Sequence, residues 1–190
     1  MKGFGEKFKY KKQKTAKSIS SQEQIINQAI HFHLKGNIRE AAKCYQYCIN
    51  QGINDHRVFA NYAGILQRIG KLKEAELFTR KALEIKPDFA EAHSNLGSIL
   101  SSLGELKEAE LSLKKAIEIK PDFADAYYNL GNILRDISKL QEAEIPYRRA
   151  IKIKPNYAEA HSNLGSVLKD LGKLQEAEIS YRRAIKIKPN

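Results

Sequence analysis

A 34-residue period runs through the chain: Pro87, Pro121, Pro155 and Pro189 are separated by that step, and so are Asn61, Asn95, Asn129 and Asn163. Ala75, Ala109, Ala143 and Ala177 keep it as well, as do Ala82, Ala116, Ala150 and Ala184. A fixed period of this length means a stack of like supersecondary units rather than one irregular domain. When the proline is counted as position 32 of a unit, residues 22–190 divide into 22–55, 56–89, 90–123, 124–157 and 158–190 with nothing left over.

Within a unit the apolar residues keep helical spacing, pause at position 15 (Gly36, Gly70, Gly104, Gly172), and then resume. Glycine takes the left-handed conformation that ends a helix, and the proline at position 32 cannot continue a second one. Each unit is therefore predicted to be two helices, A and B, of roughly 13 residues or about 20 Å. Small residues at position 8 (Ala29, Ala63, Gly97, Gly131, Gly165) and position 20 (Ala41, Ala75, Ala109, Ala143, Ala177) predict that A and B approach closely. Unit one departs most, with Ile53 in place of the proline and Cys48 in place of an alanine. In unit four Ser138 replaces the turn glycine and Pro146 falls inside helix B, which predicts a kink or a displaced helix start.

The last unit carries Leu164, Gly165, Gly172, Ala177, Tyr181, Ala184 and Pro189 in an order that resembles the tetratricopeptide repeat (TPR). The resemblance covers residues 22–190 and implies an all-α fold: a right-handed α-α superhelix (solenoid) of about five TPR helix hairpins. It further implies that the A helices line a concave face and the B helices a convex one. On the B helices, Glu76, Glu110, Glu144 and Glu178 each precede a base by four residues, a spacing that forms solvated ion pairs worth about 0.2–0.5 kcal/mol each. Lys86, Lys120, Lys154 and Lys188 sit where helix B ends, opposite the negative end of its dipole.

The chemistry-bearing residues do not assemble into an enzyme. GxxxxGK[ST], GxSxG and HExxH are all missing, so no catalytic residue and no cofactor is assigned. His31 and His33 with Cys44 and Cys48 make a poor metal set, because residues two apart point to opposite sides of a helix. No metal is assigned, and Cys48 is read as a packed, inert thiol. His93 and His161 share position 4 and read as packing or capping residues. Two cysteines cannot build a disulfide framework, and no apolar run approaches the roughly 20 residues of a membrane-spanning helix, so the protein is expected to be cytoplasmic.

Charge separates the two parts of the chain. Of the net +11, residues 1–21 hold seven Lys against one Glu, which leaves the repeats only mildly basic. A globule that grips nucleic acid along its whole surface is thereby disfavoured. Residues 1–21 are expected to form a basic disordered tail; contact with nucleic acid or an anionic membrane through residues 1–17 is the minority reading.

The TPR resemblance implies that groove side chains come mainly from positions 2, 5, 6, 9, 12 and 13. Position 6 is Asn in every unit, and an amide row of Asn27, Asn61, Asn95, Asn129 and Asn163 can pair with the backbone of an extended peptide. This ladder resembles the one in TPR arrays of O-GlcNAc transferases, although Asn at this position also helps generic repeats to fold. Tyr128, Asn132, Arg135 and Lys169 complete the peptide-binding candidates with Asn61, Asn95, Asn129 and Asn163. A clamp for a terminal carboxylate is disfavoured, because positions 5 and 9 lack Lys and Arg and the acids Glu91, Asp125 and Glu159 are expected to repel it.

The expected function is a non-catalytic protein-interaction scaffold whose partner is an extended peptide or a helix held in the concave groove. The alternative is the substrate-recruiting TPR region of a larger glycosyltransferase or sulfotransferase. The sequence reaches Asn190 without a polar capping element, so Ile179, Ile185, Ile187, Leu164, Val167, Leu168 and Leu171 are expected to leave an apolar end that supports end-to-end self-association.

Overall fold

The computed structural model describes residues 21–189. The basic tail, with its nucleic-acid or membrane reading for residues 1–17, lies outside the described residues apart from Ser21, which opens the first helix. Among the described residues ten helices follow one another and no strand occurs: α1 (21–34), α2 (Ile38–Asn50), α3 (His56–Arg68), α4 (Leu72–Ile85), α5 (Ala90–Ser102), α6 (Leu106–Ile119), α7 (Ala124–Asp136), α8 (Leu140–Ile153), α9 (Ala158–Asp170) and α10 (Leu174–Ile187). Odd-numbered helices are the A helices and even-numbered ones the B helices. The chain forms two compact units, one up to Ile85 and the other from Lys86.

The turn between A and B is the same in every repeat because the same backbone hydrogen bonds close it. At the end of α5, the Gly104 N–H donates to the Ser101 carbonyl at 3.0 Å and the Glu105 N–H to the Leu100 carbonyl at 2.9 Å. This pairing satisfies carbonyls that the helix end leaves open, and it requires a left-handed residue, with Gly104 at φ 81°. Ser138 makes the corresponding bonds at the end of α7 and is driven to φ 61° without glycine's freedom. Unit one replaces its missing proline with a second turn of this kind, in which Gly52 (φ 70°) ends α2. Between repeats, Pro121 occupies the second position of a turn closed by the Phe123 N–H on the Lys120 carbonyl at 3.2 Å, and Pro155 does the same before Tyr157.

In the unit ending at Ile85, α3 packs on α4, and Ile26, Ala29, Ala41, Tyr45, Cys48 and Val58 form the core around α1 and α2. Arg57 fastens this region. Its guanidinium donates to both Glu23 carboxylate oxygens at 2.9 and 2.8 Å and to both Asp55 oxygens at 3.1 to 2.8 Å, while Asp55 caps α3 by accepting from the Arg57 N–H at 2.7 Å. In the unit from Lys86, each A helix packs on its own B helix, and α6 and α8 also pack on the A helix that follows. The small residues at position 8 meet position 24: a Cβ built on Gly131 would lie 2.8 Å from the Tyr147 ring, and one on Gly97 2.6 Å from Leu113 Cγ.

Three expectations change. Helix α8 runs unbroken through Pro146 and starts at Leu140, one period after Leu106 at the start of α6, so the helix start is not displaced. Ala143, Tyr147 and Ala150 are fully buried around the proline, and that packing holds the helix where one backbone donor is lost. Leu164, Val167 and Leu168 are buried rather than open, because α9 is already covered by α8 and α10. The exposure of Ile179 (68%) repeats that of Leu111 (67%) and Ile145 (70%) at the same position, so it belongs to every B helix of this unit. On α10, Leu174 and Ile185 are open where their counterparts Leu140 and Ile151 are partly covered.

Two measurements check this account. Relieving the left-handed serine by Ser138→Gly should stabilise the protein by about 1 kcal/mol, read as a Tm rise of roughly 2–4 °C. The second concerns acid. Arg57 holds the Glu23 carboxyl below its ordinary value; at Asp55, burial pushes upward, but the Arg57 side-chain and backbone hydrogen bonds outweigh it and the carboxyl is again lowered. Stability from such groups is complete above the unfolded carboxylate pKa of about 4 and disappears as pH falls through the lowered folded values. Thermal melts of Arg57→Ala should therefore lose less stability than the native chain between neutral pH and strong acid, starting from a lower Tm.

Candidate functional site

The A helices carry the side chains singled out for binding, and their state depends on what the neighbouring helices of the same unit place beside them. Around α7 and α9 the groups are joined. Asn163 Nδ2 donates to Asn132 Oδ1 at 2.8 Å and to the Tyr128 hydroxyl at 3.2 Å, and the Tyr147 hydroxyl donates to the same Asn132 oxygen at 2.7 Å. The Tyr128 ring lies 6.0 Å from that of Tyr147 and 4.9 Å from that of Tyr157. Burial pushes the Tyr147 phenol up to about 12, so it remains a neutral donor across the physiological range. Burial also raises Tyr157, and the neighbouring Asp125 carboxylate pushes the same way.

Asn129 stands in a different environment. The residue at position 24 before it is Leu113, which has no hydroxyl, and among the described residues the Asn129 side chain makes no hydrogen bond. It lines a small cavity of about 120 Å³ between α5 and α7, with Gly97, Ser98, Ser101 and Ser102 on one wall and Asn132 beside it. Small side chains on α5 leave that space open.

The remaining candidates are scattered. Asn95 is half-buried and likewise without a side-chain hydrogen bond among the described residues. Asn61 lies in the other unit, where burial raises the Tyr45 phenol to about 12 and the Tyr45 hydroxyl lies 3.5 Å from His33 Nδ1. Arg135 is turned onto Asp136 at 2.9 Å, and Lys169 is exposed in the last turn of α9. Asn132, Tyr128 and Asn163 thus form one cluster, with Asn129 next to it. The sequence carried the signal for the cluster, tyrosine at position 24 with Asn at position 9, but composition alone does not show that the two meet.

Electrostatics departs from the expectation at position 2. Glu91 pairs with Lys120 at 3.0 Å, Asp125 with Lys154 at 4.0 Å and Glu159 with Lys188 at 3.7 Å. These acids are neutralised by the lysine 29 residues later, so they do not present the repulsive row expected from the sequence. Lys120 and Lys154 also lie over the Phe123 and Tyr157 rings, at 4.9 and 4.3 Å from their centroids. The four i,i+4 pairs on the B helices form, with Glu76–Arg80 at 3.0 Å and Glu110–Lys114 at 2.6 Å as examples.

The histidines cap. His93 Nε2 donates to the Pro87 carbonyl and His161 Nε2 to the Pro155 carbonyl, both at 2.9 Å. His33 lies edge-on to Tyr45, Cys48 is buried, and burial raises its thiol pKa. No group of three metal-ligating side chains occurs among the described residues. No described helix is long and apolar enough to cross a membrane.

Family models for tetratricopeptide repeats match residues 56–89, 78–110 and 158–190, and a TPR repeat model matches 97–135 and 131–172. The chain belongs to the tetratricopeptide repeat family. No curated protein sequence matches it. Among solved structures, this TPR chain is similar to MamA (24% identity over 84% of this chain and 94% of that one, TM-score 0.73). It is also similar to pilF of Pseudomonas aeruginosa (18% identity, 90% and 78% covered, TM-score 0.80). A third is YrrB, described as a TPR protein with an unusual peptide-binding site (21% identity, 92% of each chain covered, TM-score 0.69). At these identities the likeness is one of fold. TPR folds are typical protein-interaction modules.

Proposed function

We propose that this TPR chain is a scaffold without chemistry of its own, which holds an extended peptide along its A helices. The observation that carries the reading is Asn129: a half-buried amide with both donor and acceptor free, set in a small cavity walled by glycine and serine. Such an amide pairs with a peptide's backbone N–H and C=O whatever its side chains. The structurally similar YrrB, described as having a peptide-binding site, supports a peptide as the occupant.

On this reading the asparagines divide the work. Asn129 and Asn95 face the ligand, whereas Asn163 ties α9 to α7 through Asn132 and Tyr128. Peptides selected from a random-sequence display library on the intact chain provide the probe. Asn129→Ala should weaken them about tenfold, the loss of roughly 1.4 kcal/mol, with Tm unchanged. Asn163→Ala should lower stability by about 1 kcal/mol and weaken the same peptides less. Selected peptides that ignore both Asn129→Ala and Asn95→Ala would remove the A-helix face as the binding surface.

A further inference from the structure

A second cavity, of about 350 Å³, opens on the opposite set of helices, between α8 and α10 over α9. Its apolar part is Ile151, Leu164 and Ile179, and its rim carries Arg148, Lys152 and Arg183 with no carboxylate among the lining residues. Arg148 is already held by Glu144 at 2.9 Å and Glu176 at 2.5 Å. Lys152 and Arg183 have no ion-pair or hydrogen-bond partner among the described residues, and they stand on the two facing helices.

The repeat supplies an internal control, because the corresponding place one period earlier is built differently. There Tyr127 stands where His161 stands here, and Arg149, the counterpart of Arg183, lies 5.9 Å from the Tyr127 ring centroid. Glu118 stands there in place of Lys152 and pairs with Lys115 at 3.0 Å. The earlier groove thus has an aromatic ring under its cation and a carboxylate in its wall. In the later one His161 is bound to the Pro155 carbonyl, the ring is gone, and both the void and the cations are open.

We propose that the α8–α10 groove is a second interaction site that takes an acidic peptide segment anchored by one bulky apolar side chain. The apolar anchor enters between Ile151 and Ile179 onto Leu164, supplying what Tyr127 supplies one repeat earlier. Carboxylates on either side of the anchor meet Lys152 on one wall and Arg183 on the other. Cations on both walls of a slot closed below by α9 fit a chain with acids flanking one anchor. This site is separate from Asn129 and does not depend on the reading given for it.

A fluorescein-labelled peptide of Gly, Asp and Glu with one central Phe tests this on the full chain by fluorescence polarisation. The expected result is saturable binding that weakens about tenfold when the Phe is replaced by Ala, and about tenfold with Lys152→Glu or Arg183→Glu. His161→Tyr, which restores the ring without changing charge, should also weaken it about tenfold at unchanged helicity. Lys186→Glu, an equal charge change outside the cavity lining, should leave affinity within about twofold. Several results would overturn the proposal: no binding of the probe, indifference to His161→Tyr, or an effect of Lys186→Glu as large as that of Arg183→Glu. So would capture by phosphatidylserine vesicles that depends on Lys152 and Arg183 while the peptide stays unbound.

Discussion

The approach of Tyr147 to the backbone of α7 at Gly131 is the contact on which the unit from Lys86 rests. A Cβ at Gly131 would come within 2.8 Å of the ring, so helix A must be bare at this point for helix B to close on it. Gly165 does the same for Tyr181, where a Cβ would lie 2.9 Å from the ring, and Gly97 for Leu113. Close packing of this kind does more than bury area. It fixes the tyrosine so that its hydroxyl reaches Asn132, and Asn132 in turn accepts from Asn163 in the next repeat. A packing decision inside one hairpin therefore sets the hydrogen-bonding state of the next.

Much of this was legible before any coordinate. The period, the two helices per unit and their small-residue contacts are local or periodic properties, and the sequence repeats them several times over. The turn chemistry is equally local, and even Ser138 keeps the left-handed turn because the hydrogen bonds at the end of α7 demand it. What the sequence concealed are pairings between residues far apart along the chain. Glu91 and Lys120 are 29 residues apart, and Arg57 and Glu23 are 34 apart. Each looks unremarkable in its own helix. The reach of α8 and α10 over α9 was hidden for the same reason, so Leu164, Val167 and Leu168 looked available when they are buried.

The candidate site was read as a uniform ladder because position 6 is uniform. Its members are not equivalent, because positions 5, 9 and 24 around them are not. Asn163 donates to Asn132 and Tyr128, whose counterparts one period earlier are Ser98 and Ser94, and Leu113 brings no hydroxyl where Tyr147 braces Asn132. The same non-uniformity operates one repeat later, where His161, which lines the cavity between α8 and α10, stands in place of the Tyr127 ring that lies under Arg149. In a stack of near-copies, the places where one copy drops a partner are where a ligand has something to replace.

Side-chain amide exchange by NMR tests this most directly. The account predicts that the Asn163 Nδ2 protons exchange more slowly than those of Asn129 in the native chain, and that Asn132→Ala speeds Asn163 toward the Asn129 rate by removing its 2.8 Å acceptor. Equal protection of the two asparagines in the native protein, with no change at Asn163 on Asn132→Ala, would contradict the claim that the neighbouring side chains govern which amides are free.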